Sequence, residues 1–474
     1  MNIFQTIRQE TGNFQDKTAV IQGNLKISYG ELISSADMIA SALKENGIGP
    51  FHRVGLLCRD SIDYISASLA ILSLSAVVVP ISTDHSHDEI NEILDKIAVD
   101  SLIFEKDSYS GEDAHSLKSE GLLQKKFYIK KKLIKENPSD EYYKLNPAFI
   151  RFSSGTTGAS KGIVLSHESI IERTSAADKG LRLSQDDTVL WILSMSFHFV
   201  VTVLLFLRRA SIIVLCGNPF PEALIEGIKK HKGTFIYASP FHYNVLTHME
   251  SLSAESLQNI RLAVSTAMKL PENIAQGFRE KFGFELAEAY GIIEVGLPFI
   301  NLSSDESRRS SVGKALPDYE VEIANRDRNG VGPIYLKGKG MLDAYYFPWQ
   351  NRESILKNSW FDTGDLGRLD PEGFLTIVGR DKDVINFAGM KIFTQEVEAV
   401  INHFPGVKES CVYGESHAIY GQLPMAKIVP QDGAGVSTDE LKKFCYRKLA
   451  QYKVPKGFET VDVIPKTASG KIKR

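Results

Sequence analysis

The chain has 474 residues, 43% of them hydrophobic and 24% charged, with a formal net charge of -3. That length exceeds one ordinary core and calls for two or more domains of a globular protein. The pI near 6.4 leaves no basic footprint for nucleic acid. The most apolar stretch, FHFVVTVLLFLRRASIIVL, is interrupted by His198, Arg208 and Arg209 and falls short of a membrane span.

The N-terminus, MNIFQTIRQETGN, lacks the apolar run and small-residue cleavage site of a secretory signal. Strands and helices then alternate: VGLLC, a helix through DYISASLAILSLS, VVVPI, a helix around HDEINEILDKIA, and SLIF. A basic run, KKFYIKKKLIK at 125–135, reads as the solvated face of a strand or loop. A second series follows: TVLWIL, a helix through VTVLLFLRR, SIIVL, the helix PEALIEGIKKH, and TFIYASP. Such alternation predicts an α/β architecture with mainly parallel strands and flanking helices. Pro- and Gly-punctuated β segments come next, and the last ~90 residues mix strands with the amphipathic helices TQEVEAVINHF and TDELKKFCYRKLAQYKV. A boundary falls at GRDKDVI, where a strand meets a charged segment. The expected division is therefore a large domain over 1–379, a hinge at 380–384 and a small mobile α+β domain over 385–474. Cys58, Cys216, Cys411 and Cys445 are scattered without metal-like spacing, as expected of reduced thiols in the cytoplasm.

Residues 153–162 read SSGTTGASKG, flanked on both sides by apolar runs. Hydroxyls, free amide N–H groups, glycines and one ammonium together suit an anion such as a phosphate chain. Taken alone the stretch is equally a flexible surface loop. It is not the P-loop of nucleotide triphosphatases. Gly155 and Gly158 have two residues between them, Lys161 comes three later, and Gly162 stands where Ser or Thr is needed.

Four further stretches decide between these readings: EAYGIIEVG at 288–296, SVGKALPDYEVEI at 311–323, WFDTGDLGRLDPEGFLTIVGRDKDVINFAGMKI at 360–392, and the terminal PKTASGKIKR. In order and spacing they resemble the motif series of the adenylate-forming superfamily: acyl- and aryl-CoA synthetases, peptide-synthetase adenylation domains and firefly-type luciferases. The resemblance runs from VVVPIS to the terminal lysine motif. It implies a two-step reaction using ATP and Mg²⁺. A carboxylate attacks the α-phosphate to give an acyl adenylate and pyrophosphate; a thiol then takes the acyl group and AMP leaves. Two anions must meet, so cationic side chains and oriented N–H donors have to offset their repulsion.

The resemblance also implies roles. Ser153, Ser154, Gly155, Thr156, Thr157, Gly158 and Lys161 match the phosphate-binding segment, Tyr290 and Gly291 the adenine side, and Glu294 the Mg²⁺ ligand. Asp365 matches the ribose-binding carboxylate and Arg380 a second ribose contact, with Lys382 at the hinge. Gly389 matches a glycine lining the thiol channel, and Lys471 the lysine that reaches the attacking carboxylate and α-phosphate. His198 falls where acyl- and aryl-acid members carry histidine and α-amino-acid members commonly carry aspartate, which points to an acid without an α-amino group.

Three departures stand out. Ile293 replaces a threonine whose hydroxyl would touch the α-phosphate. The segment STAMKL at 265–270 has Thr266 and Ala267 in place of glycines beside the adenine and acyl pockets, and Val201 and Arg209 occupy places often held by small residues. The expected protein is a freestanding acid–thiol ligase acting on a small carboxylic acid. Its acceptor is CoA or the phosphopantetheine of a separate carrier protein, since the chain leaves no room for a fused carrier domain of roughly 70 to 80 residues. Alternatives are an amino-acid-adenylating domain, a luciferase-like oxygenase, and a nucleotide-binding module that has lost catalysis.

Overall fold

The computed structural model describes residues 1–109, 113–117, 126–131, 138–153, 161–387, 390–417, 419–431, 435–466 and 472. Its contacts divide the chain into two compact units: residues 1–309, 315–320 and 337–359 form the first, and 310–314, 321–336 and 360–474 the second.

The first unit holds two large sheets. In one, the parallel strands Val77–Ile81, Arg53–Leu57 and Ser101–Glu105 lie side by side, and every residue of the three is buried. Strands covered by helices on both faces need continuous apolar runs, which VVVPI and VGLLC supply. The helix Ile62–Ser73 starts where Ser61 Oγ accepts the Tyr64 N–H at 3.1 Å, and residues 62–72 are buried throughout. Beside Val77–Ile81 comes Pro147–Ser153, which turns back antiparallel into Lys161–Ser166. Near one edge Phe127–Lys131 buries Phe127 and Ile129, with Tyr128 and Lys130 half-buried on the alternate face and Lys131 exposed at the strand's end.

The second sheet of this unit sets Phe235–Ala238 between Thr188–Trp191 and Leu262–Ser265, all parallel, and ends through Ala287–Ile292 in the antiparallel hairpin to Gly296–Ile300. The apolar stretch after Phe197 differs from the single helix expected there. It forms a short helix Met195–His198, a π-helical turn Phe199–Val203 and a helix Leu204–Arg208 before the strand Ile212–Leu215. Thr202 Oγ1 donates to the His198 carbonyl across the widened turn. Insertions of this kind occur mostly at functional positions, and 3.6-residue periodicity carries no trace of them.

In the second unit, Gly332–Gly338, Phe361–Leu369 and Leu375–Arg380 pair antiparallel in that order. A separate sheet pairs Val384–Phe387 with Met390–Phe393 and the long strands Val407–His417 and Gly421–Pro430 with each other. The helices Thr394–Ile401 and Thr438–Lys448 cover it, with Val397, Ile401, Leu441 and Cys445 in its core. The fold is thus the expected mixed α/β one with a large N-terminal and a small C-terminal part. All four cysteines are buried free thiols. Among the described residues no helix is long and apolar enough to cross a membrane.

Candidate active site

The phosphate-type stretch is carried at the end of a hairpin, in which Ser153 pairs with Lys161. Ser154, Gly155, Thr156, Thr157 and Gly158 lie outside the described residues. Lys161 places its ammonium 4.1 Å from the centre of the Tyr345 ring, and Tyr345 sits beside Ile163 on the adjoining strand. The Tyr345 phenol lies beside the Glu294 carboxylate, and burial together with that charge pushes its pKa up. Lys161, Tyr345 and Glu294 thereby form one connected group.

Glu294 stands in the tight turn joining Ala287–Ile292 to Gly296–Ile300. Its carbonyl accepts the Leu342 N–H at 2.7 Å. The turn is crowded: a Cβ built on Gly291 would come within 2.5 Å of the Gly296 carbonyl oxygen, and Gly296 itself has φ +113°. Glycine is needed at both. Arg173, fully buried on the helix His167–Leu181, braces the turn from below by donating to the Ile293 carbonyl at 2.9 Å and to the Gly340 carbonyl at 2.8 Å. Burial lowers its pKa to about 10, so it stays charged at neutral pH. Tyr290 packs on Phe299 with ring centres 6.2 Å apart and the planes tilted at 45°.

The STAMKL segment is tied to the same hairpin. Glu288, buried at 6% exposure, accepts the Leu270 N–H at 2.9 Å, and burial raises its pKa to about 7. Thr266 lies beside the buried Tyr237 phenol. Ala267 has φ +72°, in the left-handed region that glycine would occupy without cost.

His198 closes the helix Met195–His198, whose first N–H, that of Met195, donates to both oxygens of Asp60 at 2.9 and 3.1 Å. Arg151 projects from the strand Pro147–Ser153 to the end of this helix. It donates to the Phe197 carbonyl at 2.7 Å and stacks on the Phe197 ring at 5.2 Å. It also lies within electrostatic reach of Glu294 and Tyr64. Arg209, by contrast, is engaged with Asp178 at 2.7 Å at the molecular surface.

In the second unit, Asp365 and Arg380 face each other across paired strands, with Oδ1 to Nε at 3.1 Å. Asp365 is only 4% exposed, and its N–H donates to Thr363 Oγ1 at 3.0 Å after a left-handed Gly364. Lys382 lies in the turn Asp381–Asp383 that follows. Gly389 and Lys471 lie outside the described residues; next to the latter, Ile472 bridges Lys466 and packs against Cys411, Val429 and Ile464.

The donor set suits Mg²⁺. Glu294 offers hard carboxylate oxygen, and among the described residues no group of three or more His, Cys, Asp or Glu gathers into a dedicated cage. An ion held mainly by substrate phosphates and water needs only such a partial shell. Sequence reasoning missed Tyr345, Arg173 and Arg151. The first two have no local signal, since both come from distant elements, whereas Arg151 is a charge inside the apolar strand PAFIRFS, a signal that could have found it.

Residues 7–346 match the family model described as AMP-binding enzyme, and residues 396–471 match the AMP-binding enzyme C-terminal domain. The bovine (Bos taurus) mitochondrial medium-chain acyl-CoA ligase ACSF2 is 25% identical over 97% of this chain and 84% of its own length. Indoleacetate–CoA ligase of Aromatoleum aromaticum is 24% identical over 100% and 97%. Among solved structures, o-succinylbenzoate CoA synthetase (MenE) from Bacillus subtilis with its acyl-adenylate intermediate superposes with a TM-score of 0.85 at 22% identity, covering 100% of this chain and 97% of that one. ATP-bound MatB from Rhodopseudomonas palustris gives 0.83 at 23% identity with the same coverage. With the family model matched over most of its length, and with the motif residues carried on this frame, the chain belongs to the AMP-binding enzyme family.

Proposed function

We propose that the protein activates a carboxylic acid with ATP to an acyl adenylate, releasing pyrophosphate, and then passes the acyl group to the thiol of CoA, releasing AMP. The observation that carries this reading is the connected group Lys161–Tyr345–Glu294 at the root of the phosphate-type hairpin. A cation for phosphate and an oriented carboxylate for a metal stand together on rigid strands. Mg²⁺, when bound, would neutralise charge on the phosphates. Tyr345 lies between the Lys161 ammonium and the Glu294 carboxylate, and Arg173 fixes the turn that carries Glu294.

In this reading Ser153, Ser154, Gly155, Thr156, Thr157, Gly158 and Lys161 hold the phosphates; Ala267, Tyr290 and Gly291 flank the adenine. Asp365 and Arg380 bind the ribose, and Lys471 joins the attacking carboxylate to the α-phosphate. Their ion-pair geometry supports the ribose role, because a carboxylate oriented by a guanidinium is preset to accept from two hydroxyls. Lys382 is the hinge of a segment, 380–384, about which residues 385–474 turn between the half-reactions, bringing Gly389 to the thiol channel. The relatives are named as CoA ligases, so CoA is the acceptor of choice, and a separate carrier protein is the second. The acid lacks an α-amino group, in keeping with His198. Buried free thiols are in keeping with a cytoplasmic location.

Exchange of labelled pyrophosphate into ATP, across a panel of fatty, branched, aromatic and amino acids, tests the first step. Acid-dependent exchange in one class is expected, together with its loss in Lys471→Ala. Exchange in Lys471→Ala at the wild-type level would sink the assigned mechanism, and ATP binding without exchange for any acid would leave a nucleotide-binding module.

A further inference from the structure

Arg151 is an unusual residue for its place. Its neighbours on the same two paired strands are apolar and buried: Phe149, Ile150, Ile163 and Val164. Its Nε is shielded from solvent and has no hydrogen-bond partner among the described residues, where its guanidinium donates to a neutral carbonyl, that of Phe197. A guanidinium normally satisfies five N–H donors and, when buried, pairs with a carboxylate. Among the described residues no ion pair joins Arg151 to the nearby carboxylate, Glu294, which lies beside Tyr345. Burial lowers the Arg151 pKa to about 10, which still leaves it cationic at neutral pH. A positive charge is therefore held ready at this spot with donors to spare.

Its setting says which anion completes it. The fixed contacts are to Phe197, one residue before His198, and the surroundings are aromatic: Tyr64 stacks edgewise on Phe199 with centres 5.5 Å apart, and Phe197 meets His85 at 6.2 Å. Aromatic walls around one cation suit the apolar body and single charged end of an organic acid. A polyphosphate wants a loop rich in N–H groups instead.

We propose that Arg151 is a specificity-determining residue of the acid pocket, where its guanidinium pairs with the carboxylate of the substrate beside His198 and repels acids that carry an α-ammonium group. The inference rests on the acid-activating reading above. It also gives a physical reason for discrimination that His198, neutral or cationic, would share. Acid and α-amino acid differ by one charge, and a like charge next to a half-buried guanidinium is disfavoured.

The test compares the wild type with Arg151→Met and Arg151→Lys in pyrophosphate exchange. Substrates are acid pairs differing only in the α-amino group, propionate with alanine and 3-phenylpropionate with phenylalanine, plus octanoate and benzoate. Thermal unfolding and ATP affinity serve as checks on folding. For Arg151→Met the KM for the acid should rise about tenfold to a hundredfold, the loss of a charged hydrogen bond, while the KM for ATP stays within about twofold. Arg151→Lys keeps the charge and folds, but loses the fork, so its acid KM should rise severalfold. An acid KM unchanged in both variants overturns the proposal, as does a rise in the KM for ATP in its place, which would make a phosphate the partner. Equal exchange with the amino and desamino members of a pair by the wild type also overturns it. No exchange by the wild type with any acid, while ATP binds, is the distinct signature that the underlying reading has failed, and the proposal falls with it.

Discussion

Arg173 donates an N–H to the Ile293 carbonyl at 2.9 Å, reaching the residue before Glu294 from a helix 120 positions earlier in the chain. A side chain with no exposed surface thus sets the height of the turn that presents the candidate metal ligand. Arg173→Met keeps much of the volume but strands the carbonyls of Ile293 and Gly340. At roughly 1 to 3 kcal/mol per orphaned buried group, urea unfolding should show a loss of about 2 to 6 kcal/mol. Pyrophosphate exchange should fall with it, through a weaker Mg²⁺ dependence rather than a changed acid preference. Unchanged stability would mean that the guanidinium is not bracing the turn.

Ala267 holds φ at +72°. Left-handed backbone costs a residue with a Cβ about 1 to 2 kcal/mol, whereas glycine's extra freedom in the unfolded chain costs about 0.5 to 1 kcal/mol. Ala267→Gly should therefore stabilise the protein by about 0.5 to 1 kcal/mol, visible as a rise of a few degrees at most in Tm. A lower Tm would show that the alanine methyl group earns its place by packing.

Glu288 brings a pH dependence. Burial raises its folded-state pKa from 4.5 to about 7, against the opposing Leu270 N–H and the Lys269 charge. Across that window the folded state binds more protons than the unfolded state, so its contribution is complete below pH 4.5. It is lost as the pH rises to about 7 and is constant above. The change is on the order of 3 kcal/mol. Glu288→Gln keeps an oxygen for the Leu270 N–H and cannot ionise. Unfolding free energies of wild type and variant should run together near pH 4 and diverge towards pH 7, the variant being the more stable. Parallel curves over the whole range would refute the buried-ionisation account.

Much of this protein was legible before any coordinates. Alternating apolar strands and amphipathic helices report burial directly, so VVVPI, TVLWIL, SIIVL and TFIYASP became strands where expected, and PEALIEGIKKH and TDELKKFCYRKLAQYKV became helices. Contiguous motifs were equally plain, because SSGTTGASKG and EAYGIIEVG carry their chemistry in adjacent residues whose types alone restrict what the loop can hold. Glycine at 291 and 296 was written into the second of these by the turn it must make.

Other features became visible only in three dimensions. The π-helical turn Phe199–Val203 depends on Thr202 capping the His198 carbonyl and on packing against neighbouring elements, so periodicity read it as continuous helix. Tyr345 meets Glu294, and Arg173 meets Ile293, because separate strands and a helix converge there; no spacing along the chain encodes such meetings. Arg151 shows both sides at once. Its charge in an apolar strand was readable as an anomaly, but its being left short of partners beside Phe197 was a decision of tertiary packing, since only the fold determines which carbonyls and carboxylates come within reach of a guanidinium.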